Sequence, residues 1–235
     1  MKTILVCNQK MYLTKDEALS LKRNMDTLDF SKVDLIVCPS YLNYDVFKGY
    51  TLGAQNAFYE DKGAYTGEVS AYDLSLIEVK YSLVGHSERR NSENDNVINL
   101  KLKAILRNSM TPILCVGETK TDKDLRRTPE VIKRQLKLAL KDVYLEDGQW
   151  IYVAYEPRYL IGGKIILPKS EIIDTIKYIK KMLEQEKVKN YKLLYGGAIT
   201  SNNIKEIVSD EIDGYLLGGA CTSFDELEKI VKCIK

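Results

Sequence analysis

The sequence predicts an α/β protein folded as a single-domain (β/α)8 barrel over residues 1–235, and three observations carry that expectation. Eight short apolar, β-branched runs recur along the chain, most without strict alternation, as strands buried on both faces read. Between most of them lie stretches with the apolar period of amphipathic helices. Eight such units fit 235 residues, close to the roughly 250 typical of these barrels, with no linker and no second composition zone.

The strand candidates are TILVC (3–7), DLIVC (34–38), YTLGAQ (50–55), YSLVG (81–85), PILCV (112–116), IYVAY (151–155), YKLLY (191–195) and GYLLG (214–218). DEALSLKRNMDTL, NVINLKLKAILRN, PEVIKRQLKLALKDV and KSEIIDTIKYIKKMLEQEK carry the helical period. Thr14 with Glu17, and Ser223 with Glu226, form capping-box patterns, while Pro129 and Pro168 stand where a first helical turn begins. An open dinucleotide-binding sheet would need G-x-G-x-x-G after its first strand; NQKMYLT follows here, without a glycine. The longest irregular segment, AFYEDKGAYTGEVS (57–70), is aromatic rather than disorder-prone, and a loop of that length usually has a function.

Composition narrows the function. At 45% hydrophobic residues the chain builds a large core, and a net charge of +2 argues against nucleic acid or a membrane surface as partner. Five scattered cysteines (Cys7, Cys38, Cys115, Cys221, Cys233) without a CxxC suit a reducing compartment, and with one histidine no zinc site of usual spacing can be assembled. The N-terminal apolar run is too short for a signal peptide or a membrane span. These features set the expectation of a cytoplasmic protein without a metal.

In barrels of this type the active site lies at the C-terminal ends of the strands. Those ends deliver Asn8 and Lys10; Pro39; Gln55 and Asn56; His86 followed by Glu88; Cys115 and Glu118; Glu156; Gly196-Gly197; and Gly218-Gly219. Glycine pairs after strands seven and eight let bare backbone N–H groups approach a phosphate; singly, each reads as a tight turn. A helix beginning at HSERR would place His86, the only histidine, at a positive dipole end that keeps the imidazole neutral. Glu156 reads as a general base carried on a lid or as a solvated loop acid. Lys10 reads as an electrostatic clamp, with a Schiff-base lysine of an aldolase as the rival.

Asn8-x-Lys10, VGHSERR (84–90), CVGE (115–118), YEP (155–157) with a glycine lid, YGG (195–197), GGA (218–220) and the loop AQNAFYEDKGAYTGE resemble, in order and over about residues 4 to 231, the triosephosphate isomerase family. The resemblance implies a cofactor-free isomerase of glycolysis and gluconeogenesis that interconverts dihydroxyacetone phosphate and D-glyceraldehyde 3-phosphate through an enediolate. Glu156 would move the proton and His86 would polarise the carbonyl. Lys10 and Asn8 would hold the oxygens, Gly162, Gly197, Gly218 and Gly219 would bind the phosphate, and Glu88 and Cys115 would support them. It also implies a homodimer in which Thr66 and Glu68 lie near the neighbouring active site. The alternatives are a four-carbon ketose phosphate isomerase on the same barrel, of the erythrulose phosphate type, the aldolase, and a catalytically dead interaction module.

Four positions depart from the family's pattern. Ala198 stands where the family has a serine that bonds both phosphate and lid tip, and the lid Gly162-Gly163-Lys164 is one residue shorter than usual. Arg158-Tyr159 replaces Val-Trp, and Gln9 replaces a tryptophan. The missing hydroxyl and the shortened tip read as one coupled change.

Overall fold

The structure is a computed structural model that describes residues 2–163 and 165–234. Eight parallel strands close into a barrel in sequence order: β1 (Thr3–Asn8), β2 (Val33–Cys38), β3 (Thr51–Ala54), β4 (Tyr81–Val84), β5 (Thr111–Val116), β6 (Ile151–Tyr155), β7 (Tyr191–Gly196) and β8 (Gly214–Leu217). Closure is set by register: Leu5 pairs with Leu35 on one side and with Tyr215 on the other. Outside run α1 (Lys15–Met25), α2 (Ala71–Leu76), α3 (Asp95–Arg107), α4 (Lys120–Asp124), α5 (Thr128–Ala139), α6 (Lys169–Gln185), α7 (Ile204–Ile207) and α8 (Phe224–Cys233). Among the described residues no helix is long and apolar enough to cross a membrane.

Both faces of each strand are buried, which is why the runs read as nearly continuous apolar sequence. Ile4, Val6, Ile36, Cys38, Leu83, Ile113, Cys115, Ala154, Leu194 and Leu216 form a small separate cluster, the filling of the barrel. The intervening residues, such as Leu5, Cys7, Leu114, Val153 and Tyr195, join a larger core shared with the helices. The strand period of two extends the inward series one step past the filling. It reaches Asn8 after Val6, Gly117 after Cys115, Glu156 after Ala154, Gly196 after Leu194, and Gly218 after Leu216. These five positions form the floor of the barrel mouth.

Sequence expectations and structure differ in three places. Thr14 makes the expected capping box with Glu17, but Ser223 makes no side-chain cap; Glu226 instead accepts the N–H and hydroxyl of Ser201. Pro168 is the residue before α6 rather than inside its first turn, whereas Pro129 does stand in the first turn of α5. No α-helix begins at HSERR: a 3₁₀ turn spans Arg89–Asn91, and α3 starts at Asp95 under an Asn94 cap. Segment 57–70 is irregular and tied down. Phe58 stacks on Tyr59 and Tyr65 at 4.3 and 4.9 Å, and Arg107 donates to Asp61 Oδ1 at 2.9 Å. Buried Lys101 joins the ends of β3 and β4 by donating to Asn56 Oδ1 and Glu93 Oε1, each at 2.7 Å.

The two caps give a paired expectation. Thr14→Ala lowers unfolding stability by about 1 kcal/mol, whereas Ser223→Ala costs no more than a few tenths, because only Thr14 satisfies a helix N–H. Denaturant midpoints measured side by side check this; equal losses would refute the assignment.

Candidate active site

Two local devices bring the acid–base pair together across the mouth. On the β4 side, Gly85 takes a left-handed φ of +69°, which turns the chain out of the strand so that His86 enters the mouth. On the β6 side, the Glu156 N–H donates to the Val116 carbonyl at 2.7 Å, prolonging β6 beside β5. The chains pass so closely that a Cβ on Gly117 would lie 1.8 Å from the Glu156 carbonyl oxygen. Gln135 secures Gly117 from below, accepting its N–H at 2.9 Å and donating to its carbonyl at 3.0 Å. Across the mouth, a Cβ on Gly196 would lie 2.8 Å from Glu156 Cγ. Backbone on one side and side chain on the other leave Glu156 little freedom.

The result is a buried pair. Glu156 Oε1 lies 3.2 Å from His86 Nε2, and both side chains are almost fully enclosed. Ser87 N–H donates to Glu156 Oε2 at 3.3 Å. Glu88 N–H donates to His86 Nδ1 at 3.3 Å, which leaves Nδ1 as the acceptor and Nε2 as the protonated nitrogen of the neutral ring. Asn8 Nδ2 lies 3.4 Å from His86 Nε2. The tautomer of the neutral ring is therefore set by a local backbone N–H rather than by the dipole of a long helix.

Lys10 completes the rim. Its φ of +50° is uncommon for a residue with a side chain. Its N–H is held by Asn8 Oδ1 at 3.1 Å and its carbonyl by Gln55 Nε2 at 2.7 Å. Its ammonium donates to Glu88 Oε1 at 2.6 Å. Asn8, Lys10, His86, Glu156, Gly162, Gly197, Gly218 and Gly219 line one cavity of about 280 Å³. Gly219 and Gly162 have open space where a Cβ would point, so backbone is presented to the cavity there. The lid residues Gly162 and Gly163 are exposed; Lys164 lies outside the described residues.

Other residues singled out in the sequence fall nearby. Cys115 is buried next to the pair, and its thiol stands well above its ordinary value, first from burial and then from the Glu156 carboxylate. Glu88 and Glu68 border a second cavity that also reaches Asn8, Lys10 and His86, while Thr66 is exposed on the loop. Glu118 is buried below the lid, accepting from the Tyr155 hydroxyl at 3.1 Å, and burial raises its carboxyl. Sequence reasoning missed Gly117 and Gln135, although CVGE contains the first, and it gave no sign that Gly196 makes room for Glu156. Gln9 is buried with both carboxamide atoms unpaired, and nothing in the structure explains it. Arg158, the lid's first residue after the proline, donates to Asn91 Oδ1 at 2.8 Å, and its N–H donates to the Glu118 carbonyl at 3.0 Å.

A parallel barrel with a buried carboxylate–imidazole pair, a nearby ammonium and glycine loops at its C-terminal mouth has the parts of an acid–base enzyme for a small anionic substrate. A family profile described as Triosephosphate isomerase matches residues 3–234. A triosephosphate isomerase of Clostridium tetani is 36% identical over 244 residues, covering 98% of this chain and 96% of that one. Those of Thermoanaerobacter pseudethanolicus and Endomicrobium trichonymphae are also 36% identical, with 98% and 100% of this chain and 98% and 99% of theirs covered. The chain belongs to the triosephosphate isomerase family.

The charge state of the pair follows from its surroundings. Burial pushes the Glu156 carboxyl up, but the His86 ring and the Ser87 N–H outweigh it and hold it below its ordinary 4.5. Burial pulls His86 down, and the Glu156 carboxylate reverses that, holding it above 6.5. The Glu156 contribution to stability is present above 4.5 and lost as pH falls through its lowered value. That of His86 is complete below 6.5 and lost as pH rises through its raised value. Thermal unfolding of the parent and of Glu156→Gln is expected to differ in the parent's favour most between pH 4.5 and 6.5, the gap narrowing on either side. Parallel stability profiles would rule out the ion pair.

Proposed function

We propose that the chain interconverts dihydroxyacetone phosphate and D-glyceraldehyde 3-phosphate by proton transfer, in glycolysis and gluconeogenesis. The observation that carries this reading is the 3.2 Å approach of Glu156 Oε1 to His86 Nε2 in the cavity lined by Gly197, Gly218 and Gly219. Glu156 removes a proton from the carbon beside the carbonyl. His86 donates its Nε2–H to the carbonyl oxygen as negative charge develops there. The proton then returns from Glu156 to the neighbouring carbon while the oxygens exchange theirs through the imidazole. Electrons and protons balance within one molecule, so the reaction calls for no redox group.

Substrate entry changes the electrostatics in a useful direction. A sugar carbon and oxygen placed between the two side chains separate Glu156 from His86. Burial then dominates the imidazole and returns it toward its neutral form, with Glu88 N–H fixing the tautomer. Lys10 and Asn8 face the enediolate, and the ion pair with Glu88 presents Lys10 as a charge rather than as the free amine a Schiff base needs. The backbone N–H groups of Gly162, Gly197, Gly218 and Gly219 hold the phosphate. Closure of the lid over them excludes water.

The working assembly is a homodimer in the cytoplasm. Met11 is 94% exposed, Leu42 83% and Leu76 65%, and with Tyr12, Tyr65 and Ile77 they gather on the segments following β1, β2 and β3 and at the end of α2. Apolar surface on that scale marks a contact face. Thr66 and Glu68 sit on the loop that borders the cavity beside Lys10, within reach of a partner docked there. Five free cysteines, four of them buried, suit a reducing compartment.

A coupled assay with glyceraldehyde 3-phosphate is expected to show turnover that falls by about 10²–10⁴-fold in kcat for Glu156→Gln, with KM little changed. Turnover unaffected by that substitution would overturn the assignment of the base. Sedimentation at micromolar concentration is expected to give two chains per particle; a fully active single chain would refute the dimer.

A further inference from the structure

Between the glycine loops, the cavity is also lined by Thr200. This residue lies two positions beyond Ala198, where the hydroxyl usual in the family is missing. Its surroundings are fixed from several directions. Asn203 Oδ1 accepts the Thr200 N–H at 2.9 Å, and Asn203 Nδ2 donates to the Ala198 carbonyl at 2.9 Å. The Thr200 carbonyl accepts the N–H groups of Asn203 and Ile204 at 3.2 and 3.1 Å. Glu226, reaching over from α8, takes the Ser201 N–H at 2.5 Å on one oxygen and the Ser201 hydroxyl at 3.1 Å on the other. Glu226 also lines the cavity, with both its oxygens engaged by Ser201.

Within this tied segment the Thr200 hydroxyl has no hydrogen-bond partner among the described residues. That hydroxyl belongs to a side chain lining the cavity between the glycine loops. We infer that Thr200 is a phosphate-binding residue, its hydroxyl donating to a phosphate oxygen of the substrate and taking over from the absent serine at 198. The inference rests on the sugar-phosphate reading above and adds a ligand to it. The Asn203 and Glu226 bonds make it favourable, because a donor held in place before binding loses little freedom when the anion arrives. A neutral hydroxyl bonding a charged oxygen gives one of the stronger hydrogen bonds available.

Thr200→Val keeps the shape and removes the hydroxyl, and Thr200→Ser keeps the hydroxyl. Two readouts apply to each: KM and kcat in the isomerase assay, and binding of inorganic phosphate to the enzyme by titration calorimetry. Thr200→Val is expected to raise KM and the phosphate dissociation constant about tenfold, with kcat falling by less, and Thr200→Ser to stay within about twofold of the parent. Unchanged constants in Thr200→Val would overturn the inference, and so would equal losses in Val and Ser variants, which would mark a packing role. Should the parent fail to isomerise triose phosphates while Thr200→Val still loses phosphate binding, the proposed reaction falls and the Thr200 site stands.

Discussion

The arrangement depends on how little space is left around Glu156. Five inward positions form the floor of the barrel mouth, and three of them are glycine. A Cβ at Gly117 would meet the Glu156 carbonyl at 1.8 Å, and one at Gly196 would meet Glu156 Cγ at 2.8 Å. At the third, Gly218, a Cβ would rest in ordinary contact with Lys10 Cε, 3.6 Å away. Side-chain volume is thus withdrawn beside β5 and on β7 so that Glu156 can meet His86. Interiors packed to crystal-like density do not absorb an additional methyl at the distances found at Gly117 and Gly196 without a shift of their neighbours.

That crowding has an electrostatic consequence. A carboxylate and an imidazole removed from water carry a desolvation penalty that their mutual attraction offsets only with good geometry and further hydrogen bonds. Here the further bonds come from two consecutive backbone N–H groups: Ser87 serves Glu156 and Glu88 serves His86. One short turn after β4 therefore orients both members of the pair, and the same turn places Glu88 against Lys10. The left-handed Gly85 that starts this turn is packed beneath Arg90 and the Cys115 carbonyl, where a Cβ would lie 3.0 and 3.2 Å away. Position of the proton-transfer groups is thus inherited from backbone geometry rather than from long flexible side chains.

Much of this was legible in the chain. The strands announced themselves because a barrel buries both faces, and the residues of the mouth follow directly from where each apolar run stops. What escaped reading was non-local or short. Ser223 and Glu226 have the spacing of a capping box, but Glu226 finds better donors on Ser201, a partner from another loop that spacing along the chain does not reveal. Helices α2 and α7, of six and four residues, are too brief to show a period. Gly117 and Gly196 carry no chemistry of their own, and their necessity appears only when the opposite strand is in view.

Three of the departures from the family's pattern, at Arg158-Tyr159, the lid tip and Ala198, follow β6 and the neighbouring β7. The lid's first residue is anchored twice, by the Arg158 N–H on Glu118 and by its guanidinium on Asn91, whereas the glycines at its tip are exposed. Asn91 belongs to the 3₁₀ turn that follows His86 and Glu88. The root of the lid is therefore joined to the segment that sets the imidazole. The strand-seven loop, held by Asn203 and Glu226, is a consistent counterpart: on the proposed reading its donors to phosphate are in place before the substrate arrives.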